Sequence, residues 1–456
     1  MIKTKKLTRV LLAAVMSVVT ASALTACGPG TPADTGEAQG VFADKIIVGN
    51  TAATTGDFAG VGVPFNYGLQ AAFKEYNDTF YGPKVELKHY DDGFDGAQGL
   101  TYTKQLVEED KIFALVGHFG TNTVSATTEY IVEKGIPMVY AATGITALYN
   151  ENAVGNQKAL MSVQPIYNTE GRALVARALA TGENGAGTGM LYGLGATKLG
   201  VISTTDDAGV GILAGIDRQL QETKTAFAST VVKQQFDPAA TDISAQITAL
   251  KTAGCDVIIA ACNQAPLVKV LNAMKNASYN ASVVTSYVSA SPTTLGNLVN
   301  DGSITENRKV YTTAWLDTGT PDGLAGYLQF AAVMTAYETA NGITAGTYAL
   351  NSYAMAGYVA GNLFVNGLKR VGAAGDKLTW ANYIKAMESA PIAIPMGGSV
   401  NYANGSRLGI ADLAFNTIGI EPTSGTGVDA VHALVAVDHI TSLGDLWAQV
   451  PAGIKK

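Results

Sequence analysis

The chain has 456 residues, with 30 Lys and Arg against 37 Asp and Glu and a formal net charge of −7. That length exceeds one ordinary core and suits two or three domains, and the acidic balance has the wrong sign for a nucleic-acid partner. Charged residues are only 15% of the chain, below the roughly 25% usual in soluble domains, as expected of sheets covered on both faces.

At the N-terminus, Lys3, Lys5, Lys6 and Arg9 precede an apolar run from Val10 to Ala23 broken only by Ser and Thr. The run is short for a bilayer span and has the length of a signal-peptide core. Leu24-Thr25-Ala26-Cys27 follows and resembles a bacterial lipobox, in which the Cys becomes the lipidated first residue. The expectation is a signal peptide over 1–26, lipidation at Cys27 and a flexible Gly- and Pro-containing tether over 27–43. Two acyl chains suffice for a stable membrane anchor.

From Ile46 onward, short apolar runs alternate with amphipathic ones. Strands are predicted at Ile46–Gly49, Val85–Tyr90, Phe113–Gly117 and Pro137–Tyr140. Helices are predicted at Pro64–Asn77, Ala97–Glu109 and Thr123–Lys134. This β-α-β-α order argues a parallel sheet with right-handed crossovers. After a loop over 181–196 with six Gly, the pattern restarts. Strands fall at Lys198–Ile202, Ser229–Lys233, Asp256–Ala260 and Ser282–Thr285. Helices fall at Val210–Lys224, Asp242–Thr252 and Pro266–Asn276. Tyr348–Leu368 reads as a long helix and Trp380–Ser389 as a shorter one, with strand-like sequence from Gly397.

Catalytic and metal signatures are weak. Cys255 and Cys262 flank a strand, about 23 Å apart if extended at roughly 3.3 Å per residue, beyond disulfide reach, so two free thiols are expected. His89, His118, His432 and His439 form no metal-spaced pair. Gly60-Val61-Gly62 lacks the third dinucleotide-binding Gly. Asp91-Asp92-Gly93-Phe94-Asp95 breaks the calcium-loop order and reads as a strand end and helix cap. No nucleophile, base and orienting group can be assembled, so the chain is expected to be no enzyme and to carry no cofactor or metal.

Four strings, in order, carry a resemblance: IIVGNTAATTG from Ile46, YDDGFDGAQGLTYTKQLVEED from Tyr90, ALVGHFGTNTVSATTEYIVEKGIPMVYAAT from Ala114, and FDPAATDISAQITALKTAGCDVIIAAC from Phe236. Together they resemble the type I periplasmic binding proteins, closest to the leucine/isoleucine/valine-binding branch. The resemblance implies an α/β fold of two doubly wound parallel-sheet lobes joined by three crossing strands. The crossings fall near Ser162-Val163-Gln164, Val310–Ala314 and Val400-Asn401-Tyr402. Lobe I would take 44–163 and 314–398, and lobe II 164–313 and 399–456. The implied role is the extracytoplasmic, lipid-anchored solute-binding component of an ABC importer. It would capture a small amino acid, branched-chain or otherwise apolar, and deliver it to permease and ATPase subunits.

Parallel α/β sheets bind ligands beyond the carboxyl ends of their strands. Gly117 to Thr123 sits at such an end and opens a helix, where free N–H groups and the helix dipole favour an anion. By resemblance, Thr121, Ala141 and Thr143 would grip a ligand carboxylate; the competing reading has Thr121 and Asn122 capping the helix. On lobe II, the positions where amino-acid binders of the family have Tyr, an aromatic and Glu carry Ala208, Asn263-Gln264 and Val288. Asp206 or Asp207 stands just past a strand end, where the two readings are an ammonium partner and, equally, a helix cap. Gln264 and the aromatics Phe58, Phe119 and Tyr287 complete the candidate ligand set. Trp315, near a crossing, is a further aromatic of this kind. Alternatives to amino-acid capture are a receptor for a small carboxylate, aromatic acid or neutral amide, and a sensor acting through a separate membrane partner.

Overall fold

The computed structural model describes residues 39–183, 189–427 and 430–456. The signal-peptide and Cys27 readings, and the tether up to residue 38, lie outside the described residues. The first sheet is built from β1 (Lys45–Ala52), α1 (Ala59–Thr79), β2 (Lys84–Asp91), α2 (Gly96–Glu108), β3 (Ala114–Phe119), α3 (Thr121–Lys134), β4 (Met138–Ala142) and β5 (Leu160–Met161). Its order is β2-β1-β3-β4-β5, parallel throughout. All six residues of β3 are buried, as a strand covered by helices on both faces must be.

The second unit runs α4 (Tyr167–Leu179), β6 (Leu199–Thr204), α5 (Asp207–Leu220), α6 (Thr225–Ala228), β7 (Val232–Phe236), α7 (Ser244–Thr252), β8 (Val257–Ala261), α8 (Gln264–Asn276), β9 (Ser282–Thr285), α9 (Pro292–Asn300) and β10 (Val310–Ala314). The chain then returns to the first unit with α10 (Pro321–Ala340), α11 (Ser352–Ala374), α12 (Trp380–Glu388) and the hairpin β11 (Ile392–Ala393) and β12 (Ser399–Val400). It finishes in the second sheet with β13 (Leu413–Ile418), β14 (Leu434–Thr441) and α13 (Leu443–Ala448). That sheet has the order β14-β13-β10-β9-β8-β6-β7. It is mixed rather than wholly parallel, because β13 and β14 run antiparallel to their neighbours. No crossover helix separates them, and an antiparallel pair needs only a loop.

The chain therefore passes between the sheets three times, over 162–166, 315–320 and 401–412. The first and third passages are tied together, Ile410 N donating to Val163 O at 2.8 Å and Tyr402 Oη to Ser162 O at 3.0 Å. In the second, Asp317 N donates to Met396 O at 2.7 Å, and the Asp317 carboxylate takes His439 Nδ1 at 2.9 Å from β14.

Two helix crossings depend on close backbone approach. In the first unit, a Cβ on Gly68 of α1 would lie 1.9 Å from Ala354 O, and one on Gly357 of α11 1.9 Å from Phe65 O. In the second, Gly171 of α4 and Gly215 of α5 make the same kind of contact, at 2.1 Å from Ile212 O and from Asn168 O. Only glycine fits at such positions.

Several helices differ from expectation: α6, α9 and α13 were not predicted, and three longer ones are instructive. α4 was not anticipated, because Gly171 and Ala173 to Leu179 are all buried and no amphipathic stripe marks them. α10 mixes polar and apolar residues around its circumference and has no single apolar stripe, although Thr320 caps it by accepting from Gly323 N at 3.1 Å. α11 starts at Ser352, where Asn351 caps it, not at Tyr348. Helix α4 also holds a charge: Arg177 pairs with Asp438 of β14 at 2.5 Å, both side chains fully buried. The guanidinium also donates to Tyr192 O and Leu413 O and lies 5.0 Å above the Phe415 ring.

Candidate functional site

The sequence places a hydroxyl after each of two adjacent parallel strands. β3 ends at Phe119; Gly120, at φ +100, turns the chain into α3, and Thr121 is the first helical residue. β4 ends at Ala142, and Thr143 follows. Pairing of β3 with β4 makes the two threonines neighbours, with Thr121 Oγ1 3.0 Å from Thr143 Oγ1. The capping alternative is not realised: the N-cap of α3 is Gly120, with no side-chain cap, and Asn122 Nδ2 donates instead to Phe94 O at 3.3 Å.

A third hydroxyl comes from the opposite side. Tyr167 opens α4 and brings its Oη to 3.3 Å from Thr121 Oγ1 and 3.4 Å from Thr143 Oγ1. Its backbone N donates to Gly144 O at 2.6 Å. A Cβ on Gly144 would lie 2.5 Å from Pro165 O and 2.7 Å from the Tyr167 ring, so that residue must be glycine for the passage to approach. All three hydroxyl-bearing residues are buried. Three hydroxyls at one point can turn their protons toward a single anion, since each can act as donor or acceptor.

One helical turn deeper, Glu170 is fully buried. Ser286 Oγ donates to it at 2.7 Å and Tyr287 N at 3.0 Å, and Thr313 Oγ1 donates as well. These donors sit at or just past the carboxyl ends of β9 and β10. Burial pushes the Glu170 carboxyl up to about 6 while the donors pull the other way, and no cation is among the groups acting on it. Tyr287 Oη donates to Pro165 O at 2.9 Å. Burial raises that phenol well above the ordinary range, helped by the nearby Tyr167, Glu170 and Tyr140. A third link crosses elsewhere: Tyr353 of α11 donates to Gln264 Oε1 at 3.2 Å.

The structure thus brings Thr121, Thr143 and Tyr287 to one seam, with Ala141 buried on β4 beside His118 of β3. It does not bring the rest. Phe119 packs into the first core against Phe65, ring centroids 5.5 Å apart. Trp315 is likewise buried, its ring 6.0 Å from that of Tyr140. Phe58 stacks on Phe94 at 3.8 Å. Asp207 is exposed, and Asp206 caps α5 by accepting from Gly209 N at 3.0 Å. Gln264 meets Tyr353 instead of the hydroxyl cluster. Sequence reasoning missed Tyr167, Glu170, Tyr140 and Tyr353. For the first two, the readable signal was a Tyr and an acidic residue three positions apart just after Pro165.

A cavity of about 230 Å³ lies apart from the seam, lined by Val132, Leu148, Leu160 and Arg407 among others. The Arg407 guanidinium there is already engaged by Lys158 O, Tyr402 O, Ser406 O and Glu388, so the seam is the better candidate. Among the described residues, no cluster of His, Cys, Asp and Glu suits a metal ion, Cys255 and Cys262 are free and buried, and no helix is long and apolar enough to cross a membrane.

The sequence profile described as "periplasmic binding protein" matches residues 45–418. The chain belongs to the periplasmic binding protein family. Solved structures of similar fold include a fatty acid ABC transporter substrate-binding protein from Thermomonospora curvata. It is 18% identical, with 91% of this chain and 97% of that chain covered and a TM-score of 0.68. A leucine-binding protein from Thermotoga maritima is 16% identical, with coverages of 88% and 99% and a TM-score of 0.64. A branched-chain amino acid ABC transporter protein from Thermus thermophilus with bound valine is 14% identical, with coverages of 88% and 98% and a TM-score of 0.65. No curated protein sequence matches it. Membership of the periplasmic binding protein family implies an extracytoplasmic, solute-binding role. The family's type I fold, two α/β lobes, is the one described above.

Proposed function

We propose that this binding protein captures a small carboxylate-bearing solute between its two units, an amino acid first among them, and delivers it to a permease. The observation that carries the reading is the meeting of Thr121, Thr143 and Tyr167 hydroxyls across the seam, two from the first unit and one from α4. A carboxylate entering there accepts charge-assisted hydrogen bonds from the three hydroxyls. Glu170 supplies the negative charge that a ligand ammonium needs, in place of the acid that Val288 does not provide; a buried charge without a partner is costly. In this reading the two units act as lobes, expected from sequence at 44–163 with 314–398 and 164–313 with 399–456, although Val310–Ala314 is β10 of the second sheet and the second passage follows it. Closure over the solute would present the form that the permease recognises. Lipid attachment through Cys27 would hold the protein at the membrane surface.

A second reading is a carboxylate receptor that needs no ammonium. Val288 favours it, and so does the likeness in fold to a fatty acid ABC transporter substrate-binding protein.

The test is thermal unfolding of residues 28–456 against branched-chain and other amino acids, their deaminated acids, aromatic acids, short amides and urea. A ligand at about a thousand times its dissociation constant adds roughly 4 kcal/mol to the folded state. A rise in midpoint with an amino acid, lost on deamination, supports the first reading. A rise with the deaminated acids alone supports the second. A rise only with amides or urea would overturn both.

A further inference from the structure

Tyr140 is out of keeping with its surroundings in three respects. It is fully buried, and its hydroxyl has no hydrogen-bond partner. Its backbone lies at φ +62 inside β4, a region that bulky residues rarely enter. Its ring packs between Phe65 and Trp315, with centroids 5.8 and 6.0 Å away.

The backbone conformation has a local cause. β3 and β4 pair through Leu115–Met138 and Val116–Val139, then resume at His118–Ala141 and Phe119–Ala142. At the lapse, Gly117 stands opposite Tyr140, at φ +66. Both strands therefore kink at one level, just before Thr121 and Thr143. Glycine adopts such a kink freely, whereas a tyrosine does not, so the side chain needs another reason to be there. Core packing alone is met by phenylalanine, without leaving a buried donor unpaired, and unpaired buried polar groups are rare in folded proteins.

We propose that the Tyr140 hydroxyl is a ligand-binding group, donating to an oxygen acceptor on the solute other than the carboxylate held by Thr121, Thr143 and Tyr167. It rests on the interlobe reading above. Tyr140 makes no hydrogen bond to those three hydroxyls, so it addresses a different part of the solute. It does lie near the Tyr287 phenol, which bonds to the first passage between the units. The solute class narrows accordingly, from any apolar acid to one carrying a hydroxyl, carbonyl or amide oxygen.

The experiment compares wild type and Tyr140→Phe over residues 28–456, which contain every described residue. Calorimetric titration uses two near-isosteric pairs, valine against threonine and leucine against asparagine. The second member of each pair carries an oxygen acceptor that the first lacks. The expected result is a preference of about tenfold for threonine or asparagine, as one hydrogen bond supplies. Tyr140→Phe should abolish it while the ligand-free unfolding midpoint holds or rises. A preference that survives Tyr140→Phe overturns the proposal. So does a fall in the ligand-free midpoint, which marks the hydroxyl as structural. Binding of valine or leucine that Thr121→Ala weakens, without preference within a pair, overturns this inference and leaves the carboxylate reading standing. Binding of none of the four by wild type counts against both.

Discussion

Helix α4 carries two buried carboxylate arrangements that differ in kind. Near its C-terminal end, Arg177 meets Asp438 at 2.5 Å with both side chains out of solvent. Near its N-terminal end, Glu170 is equally buried but held by neutral donors. The first charge is balanced within the fold and serves structure: it ties α4 to β14. The second is satisfied in hydrogen bonds and left without a counter-charge, a state suited to a group that meets a cation arriving from outside. One helix thus separates a structural charge from a candidate functional one by two turns.

The sharpest way to break that contrast is Asp438→Asn. It leaves Arg177 buried without a counter-charge, and a loss of about 3–5 kcal/mol in unfolding free energy is expected from urea denaturation. Thr121→Ala removes one of the three hydroxyls. Hydrogen bonds to charged groups are worth about 1.5–3 kcal/mol, so affinity for a carboxylate solute should fall by about ten- to a hundredfold in titration calorimetry.

Glu170→Gln probes the other end of the helix. Burial pushes the folded carboxyl up to about 6, above the usual 4.5. The folded state therefore binds more protons between those values, and stability must fall as pH rises from 4.5 to 6, by about 2 kcal/mol. Above about pH 6 the penalty is constant. Denaturation at several pH values should show this slope in wild type and not in Glu170→Gln. An ammonium-bearing solute should bind more tightly as pH rises through 6, with the variant flat. The smallest expected effect belongs to Tyr353→Phe. Loss of the Gln264 link should cost about 1 kcal/mol, seen as weaker binding of any solute that needs the closed seam.

Much of the framework was legible. Among β1 to β4 and β6 to β9, most are short apolar runs, with β2 and β7 alternating instead, all separated by helical spacing, and their order points to two parallel arrays. The rule that sites form past strand ends pointed to Gly117–Thr123, and the family resemblance singled out Thr121 and Thr143. α4 was not legible because its burial on all sides erases the 3.6-residue rhythm. Its Tyr167 and Glu170 were missed with it, since their roles depend on contacts 24 to 143 residues away in sequence. Phe119 was misjudged for a different reason: it sits on the core-facing side of β3, toward Phe65. Asp206 at a helix start was the plain capping signal, and Asp207 beside it points to solvent.

The three passages between the sheets also have a mechanical meaning. A single strand would be a tether, free to bend and twist. Here the first and third strands are laced by Ile410 and Tyr402, and the second is held to β14 through Asp317. Such a set behaves like the knuckles of one door hinge. Swinging about the line through them changes a few backbone torsions in each strand, whereas turning one half against the other would stretch covalent chain. On the proposed capture of a solute between the units, opening would therefore follow a fixed arc, with the Tyr353–Gln264 contact as its latch.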